Sequence, residues 1–153
     1  MLDMSVPAIK AALHRGRSRL RDLAATPEQR SSKRTASPAL TRYASLFNAR
    51  DWDGVRAMLV DDVKLDLVTR WKVTGRRPVG TTYFTNYDRT TDWRLVPAWL
   101  DGREVLAVFG TSGDARPRYF IALELAADRI TAIRDFRYVS YIGHEASIEV
   151  DDA

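Results

Sequence analysis

Ile9, Leu13, Gly16, Leu20 and Leu23 recur at helical spacing with arginines between them, which predicts one amphipathic helix over about residues 6–23. Ser5 can cap it, and Pro7 suits a first turn whose amides have no partner in any case. Residues 24–36 (AATPEQRSSKRTA) are polar and aperiodic and read as a linker. Helical spacing returns after Ser37-Pro38, with Leu40, Tyr43, Ala44 and Phe47 as the apolar stripe. Asn48 to Asp51 break it, and Asp51 caps a second helix that turns Trp52, Val55, Met58 and Leu59 inward.

The pattern then changes period. Asp61 and Asp62 are expected to end the helix and open a strand, DVKLDLV, in which Val63, Leu65 and Leu67 alternate with Lys64 and Asp66. Residues 69–77 (TRWKVTGRR) are expected to be irregular and basic. Pro78 can open a short third helix through Tyr87, although Gly80, Thr81 and Thr82 are poor helix formers. WRLVPAWL, EVLAVFG, RPRYFIALEL and RITAIRDFRYVSYI read as strands, separated by turn signals at Asp101-Gly102, Ser112-Gly113 and Ala127-Asp128. These strands are apolar on both faces. Helices on one face and a second subunit on the other would explain this, so a homodimer through the outer sheet face is expected. The order implies an α+β layout: a curved antiparallel sheet, three helices on its concave side and a pocket between them.

Charge divides the chain more sharply than the pattern does. The 153 residues carry a formal net charge of +4. Residues 1–36 hold eight basic and three acidic residues, whereas residues 37–153 hold 16 basic and 17 acidic. All 15 aromatic residues lie beyond residue 36. The leader alone therefore carries an electrostatic argument for nucleic acid. There is no cysteine, which excludes disulfides and thiolate chemistry. No run of about 20 apolar residues and no signal sequence is seen, so a cytoplasmic protein without a membrane partner is expected. His14 and His144 are the two histidines and are far apart, and neither a zinc spacing nor a phosphate loop occurs. Neither a metal nor a cofactor is expected.

Two stretches carry a family resemblance. YASLFNARDWDGVRAMLVDDVKLDL and the closing RITAIRDFRYVSYI resemble the SnoaL-like branch of the nuclear transport factor 2-like superfamily, over residues 38 to about 142. The resemblance implies a cone-shaped fold that hosts enzymes, binders and scaffolds. LDMSVPAIKAALHRGRSRLRDL resembles the turn and recognition helix of region 4 of extracytoplasmic-function sigma factors. It implies that Lys10, His14, Arg15, Arg17 and Arg19 face DNA. Met1 falls inside that turn, so the chain reads as a piece of a longer protein or a late start codon. The expected organisation is a region 4 remnant over 1–23, a linker over 24–36, a SnoaL-like domain over 37–145 and a tail over 146–153.

Asp135 is the strongest chemical candidate. In SnoaL-like cyclases and related epoxide hydrolases, an Arg-Asp-aromatic stretch near the chain end puts its Asp in the pocket as general acid or base, and Arg134-Asp135-Phe136 matches it. Burial in an apolar cavity would raise its pKa, whereas structural pairing with Arg134 or Arg137 would keep it ionised. Strand alternation would put Ile133, Asp135 and Arg137 on one face. Asp66 is a second carboxylate, read as an exposed strand position. Tyr43, Phe47, Trp52, Leu67, Trp71, Phe84 and Trp99 are candidate pocket walls beside Asp135 and Arg137. Most of these aromatics are expected to be core. Trp71, in the irregular basic segment, belongs at a pocket mouth.

Two functions follow. The favoured one is a SnoaL-like regulatory or ligand-binding domain of a sigma-70 family factor of the extracytoplasmic-function type, modulating transcription initiation. Its partners would be DNA and core RNA polymerase in the full-length protein, and a small apolar or anionic ligand. The alternative is a small cyclase, isomerase or hydrolase using Asp135. The absence of a pocket histidine or a second carboxylate weighs against it.

Overall fold

A computed structural model describes residues 34–139 and the short strand Glu149–Val150. The leader helix, its five DNA-facing candidates, nearly all of the linker, His144 and the last residues of the tail lie outside the described residues.

Two capped helices open the body. Helix α1 (Pro38–Asn48) has Pro38 in its first turn, and the Ser37 hydroxyl accepts from the Leu40 amide. Helix α2 (Trp52–Met58) is capped by Asp51, whose carboxylate accepts from the Gly54 amide at 3.0 Å. Both caps satisfy amides that the first turn leaves without intrahelical partners. Strand β1 (Leu59–Leu67) begins directly after α2, so Asp61 and Asp62 are exposed residues within the strand rather than its border.

Residues 69–77 are not irregular. After a turn in which Thr69 takes φ 72°, strand β2 (Trp71–Thr74) folds back on β1 with Leu67 opposite Trp71 and Lys64 opposite Thr74. Gly75, at φ 120°, turns the chain into the third helical segment, a conformation that favours glycine. That segment is continuous but not uniform. It comprises α3 (Arg76–Pro78), a π-helical turn (Val79–Tyr83) and α4 (Phe84–Asp88). Gly80 lies against α2, where an added Cβ would come within 2.7 Å of the Arg56 stem.

Strands β3 (Trp93–Leu100), β4 (Arg103–Gly110), β5 (Tyr119–Ala126) and β6 (Arg129–Asp135) form an antiparallel meander. Strand β7 (Glu149–Val150) adds to the β3 edge, and the sheet order is β2-β1-β6-β5-β4-β3-β7. The expected all-antiparallel sheet is corrected at one seam, where β1 and β6 run parallel. The connection between them spans most of the domain, long enough for a parallel crossover. The last strand is also shorter than expected. It ends at Asp135, and the Val139 amide bonds back to the Phe136 carbonyl in a turn.

The helices cover one face of this curved sheet, which carries Val63, Leu65, Ile121, Ile130 and Ile133 into a core shared with Leu40, Phe47, Val55 and Tyr87. Asn48 ties α1 to β3, accepting from the Leu95 amide and donating to its carbonyl, both at 2.8 Å. The opposite face has its own buried cluster, centred on Val105, Ala107, Phe120 and Phe136. Apolar residues on both faces of the strands therefore end in two separate cores.

Candidate functional site

Asp135 is fully buried and is the one buried charged residue among the described residues. It ends β6 on the helix-covered face, between Leu67 of β1 and Ile121 of β5. Its Oδ2 accepts from the Tyr83 hydroxyl at 2.8 Å and the Tyr87 hydroxyl at 2.6 Å. Its Oδ1 accepts from the Arg137 amide at 2.8 Å. The Tyr87 hydroxyl also meets that of Tyr119 at 2.8 Å. Because Tyr87 donates its single proton to Asp135, Tyr119 donates to Tyr87 in this arrangement. Tyr43, fully buried, completes the group, and its hydroxyl has no hydrogen-bond partner among the described residues.

The π-helical turn bears directly on this geometry. It ends at Tyr83 and precedes Tyr87, and these two stand four residues apart and reach the same carboxylate oxygen. Phe47 holds the set together. Its ring lies 4.9 Å from Trp52, 5.0 Å from Tyr87, 5.2 Å from Trp93, 5.5 Å from Tyr43 and 6.0 Å from Phe84. Trp52 stacks on Phe84 at 5.7 Å. Side chains therefore fill this part of the cone.

The predicted residues separate accordingly. Tyr43, Phe47, Trp52, Phe84 and Asp135 come together in one cluster, all buried except the half-buried Trp52. Leu67 is half-buried beside Asp135 in register. Trp99 is buried in the same core near the far end of β3, opposite Glu104. Trp71 is exposed at the edge of the sheet. Arg137 lies beyond the end of the strand, so simple alternation does not place it. Its guanidinium sits 5.3 Å over the Tyr87 ring. Asp66 is on the other face, in ion-pair range of Arg134 at 3.5 Å and Lys72 at 4.0 Å. Those residues line a groove of about 520 Å³ on the outer face. Arg134 thus serves Asp66, not Asp135.

Burial raises the Asp135 pKa above the usual carboxylate range, outweighing the lowering effects of the Tyr87 and Tyr83 hydroxyls, the Arg137 amide and the Arg137 charge. Enclosure therefore weighs more on this carboxyl than the neighbouring Arg137 charge does. Burial, followed by the nearby Asp135 charge, also raises Tyr43, Tyr83 and Tyr87 well above the ordinary phenol value. The folded protein binds the Asp135 proton more tightly than the unfolded chain does. This contribution to stability is fully present below the ordinary aspartate pKa of about 3.9 and is lost as pH rises through the raised value. The stability of the wild type minus that of Asp135→Asn is expected to fall with pH in that window, by at most about 1.4 kcal/mol per pH unit. Asp92 and Asp114, lowered chiefly by hydrogen bonds from Arg118, act with the opposite sign, but they cancel in the difference. Paired thermal melts across pH check this, and a difference that rises with pH would contradict it.

Tyr43 supports a second test. Tyr43→Phe removes a buried hydroxyl that has no partner, so folding stability should rise by about 1 kcal/mol rather than fall. Chemical denaturation measures the sign.

Sequence reasoning missed Tyr83, Tyr87 and Tyr119 as partners of Asp135. The spacing of Tyr83 and Tyr87 was visible, but the weak helix formers before them masked it. Tyr119 had no local signal.

No protein-family model and no curated protein matches the sequence. Solved structures do match. A protein described as NTF-2-like and of unknown function from Burkholderia xenovorans LB400 is 13% identical, with 64% of this chain and 78% of that one covered and a TM-score of 0.51. Bal32a, from a soil-derived mobile gene cassette, is 19% identical over 67% of this chain and 88% of its own, with a TM-score of 0.51. A protein provisionally named a polyketide cyclase from Pseudomonas putida KT2440 is 16% identical over 74% and 99%, with a TM-score of 0.50. Among the described residues no helix is long and apolar enough to cross a membrane. The body of this chain has the nuclear transport factor 2-like cone fold.

Proposed function

We propose that the domain is a small acid–base enzyme of the cyclase, isomerase or hydrolase type, with Asp135 as its general acid or base. The carrying observation is a fully buried carboxyl, raised by burial, that takes two tyrosine hydroxyls on one oxygen beside a Tyr43 hydroxyl with no partner. A carboxyl that holds its proton above the usual range is better matched to proton transfer than an ordinary exposed aspartate. The tyrosines fill the role of the second polar partner that neither a histidine nor a second carboxylate supplies. The unpaired Tyr43 hydroxyl offers a hydrogen bond to a carbonyl, hydroxyl or epoxide oxygen. The provisional cyclase name of the Pseudomonas protein agrees with this chemistry but lends only its fold. Turnover by the wild-type protein of a panel of cyclic ketones, polyketide-like β-diketones and cyclic epoxides tests it. Conversion of at least one class is expected, and conversion of none overturns the enzyme reading.

One observation favours a second reading. The interior beside Asp135 is packed with rings in mutual contact, which suits a domain that regulates through its surface. In that reading the chain is the SnoaL-like regulatory part of an extracytoplasmic-function sigma factor, dimeric through its outer sheet face, as the leader and its order suggest. Transcription in vitro by the full gene product with and without residues 37–153 tests it, and an unchanged transcript level overturns it.

A further inference from the structure

Two large apolar side chains are left exposed among the described residues, and both stand at the same corner of the domain. Trp71 is 41% exposed and Tyr138 47%. Trp71 pairs with Leu67 across β2 and β1, and Leu67 pairs with Asp135 across β1 and β6. Residues opposite one another in register share a face, so the Trp71 backbone lies two strands, about 10 Å, from that of Asp135 on the same face. Tyr138 follows the end of β6, the parallel neighbour of β1, which puts it at the same sheet end as the β1–β2 turn. The Arg70 guanidinium from that turn stands 4.7 Å over its ring.

Arg137 joins this corner to the interior. Its amide binds Asp135 and its guanidinium covers Tyr87. Burial disfavours its charge, while the nearby Asp135 carboxyl favours it. Residues 68–71 and 136–139 supply two arginines and no acid. Neither guanidinium forms a salt bridge among the described residues.

Resting on the enzyme reading above, we infer that the corner formed by Arg70, Trp71, Arg137 and Tyr138 is the substrate's docking site, and that it selects flat apolar ring systems bearing a carboxylate or similar anion. The indole and phenol present ring faces for stacking, and the guanidinium groups receive the anion. Trp71, Leu67 and Asp135 stand in register across β2, β1 and β6, so a substrate held at this corner lies at the sheet end where the carboxyl is placed.

The test is titration of the protein with 1-naphthoate, read by calorimetry and by the Trp71 indole N–H signal in NMR. Neutral 1-naphthylmethanol, acetate and a short oligodeoxythymidine serve as comparison probes. Naphthoate is expected to bind and to shift the Trp71 signal, with naphthylmethanol about tenfold weaker. Trp71→Ala and Arg70→Ala are each expected to weaken naphthoate about tenfold. Both side chains are exposed, and the wild-type NMR shift needs no variant, so misfolding cannot mimic the result. Three results would overturn the proposal: no binding of naphthoate, unchanged affinity in both variants, or a Trp71 shift with the oligonucleotide but not with naphthoate. These outcomes are separable from failure of the enzyme reading, which turns on substrate conversion and not on naphthoate affinity.

Discussion

Phe47→Ala is expected to destabilise the domain by about 3–5 kcal/mol, the usual cost of removing a fully buried phenyl ring. Phe47 has no exposed surface, and its ring contacts five others drawn from α1, α2, α4 and β3. The cavity cannot close easily, because three of these neighbours, Trp52, Tyr87 and Trp93, are hydrogen-bonded elsewhere. Trp52 donates to Asp88 at 2.9 Å, and Trp93 donates to the Tyr87 carbonyl at 3.0 Å. Domains of this size have about 5–15 kcal/mol of stability in total, so the variant should sit near the edge of folding. Urea denaturation against wild type measures the loss. A change below about 1 kcal/mol would mean that the aromatic cluster is looser than these contacts imply.

Asp135→Asn is expected to lower kcat by about 10²- to 10⁴-fold on whichever substrate class the wild type converts, the range that a positioned acid or base contributes. The substitution keeps the size and an acceptor oxygen for the tyrosines, so near-ultraviolet circular dichroism should remain that of the wild type. KM should move little, because the lost interaction is one made in proton transfer. Tyr83→Phe leaves the Tyr87 bond in place and should cost less. Full turnover by Asp135→Asn would remove it as the catalytic group.

What could be read from the sequence was what local chemistry decides. Ser37, Pro38 and Asp51 act on amides within three residues, so both caps are visible without the fold. Asp135 was singled out through the family resemblance of Arg134-Asp135-Phe136, and the structure buries it completely. Three features were not visible. Period-2 alternation is the same for parallel and antiparallel neighbours, so nothing in Val63, Leu65 and Leu67 says that β6 runs alongside in the same direction. Strand β2 follows a turn in which a threonine, not a glycine, takes positive φ, and this hides the hairpin. The π-helical turn depends on packing against α2 and the sheet, so the pairing of Tyr83 and Tyr87 with one oxygen of Asp135 emerges only in three dimensions. The sign of the electrostatic argument turned on the same point. Sequence puts Arg137 next to Asp135, but enclosure outweighs that charge in setting the direction of the carboxyl's shift.

The parallel seam also sets an order of assembly during synthesis. When β1 and β2 leave the ribosome, the strand that must lie beside β1 has not yet been made, since Leu65 pairs with Ile133. The nascent hairpin therefore waits with an unsatisfied edge while the third helical segment and three more strands emerge, the kind of exposure that invites misassembly. Its ladder closes at Leu67 and Asp135, the residue on which the tyrosine hydroxyls converge. A translation product cut short before β6 would have neither the open edge of β1 paired nor the buried carboxyl in place.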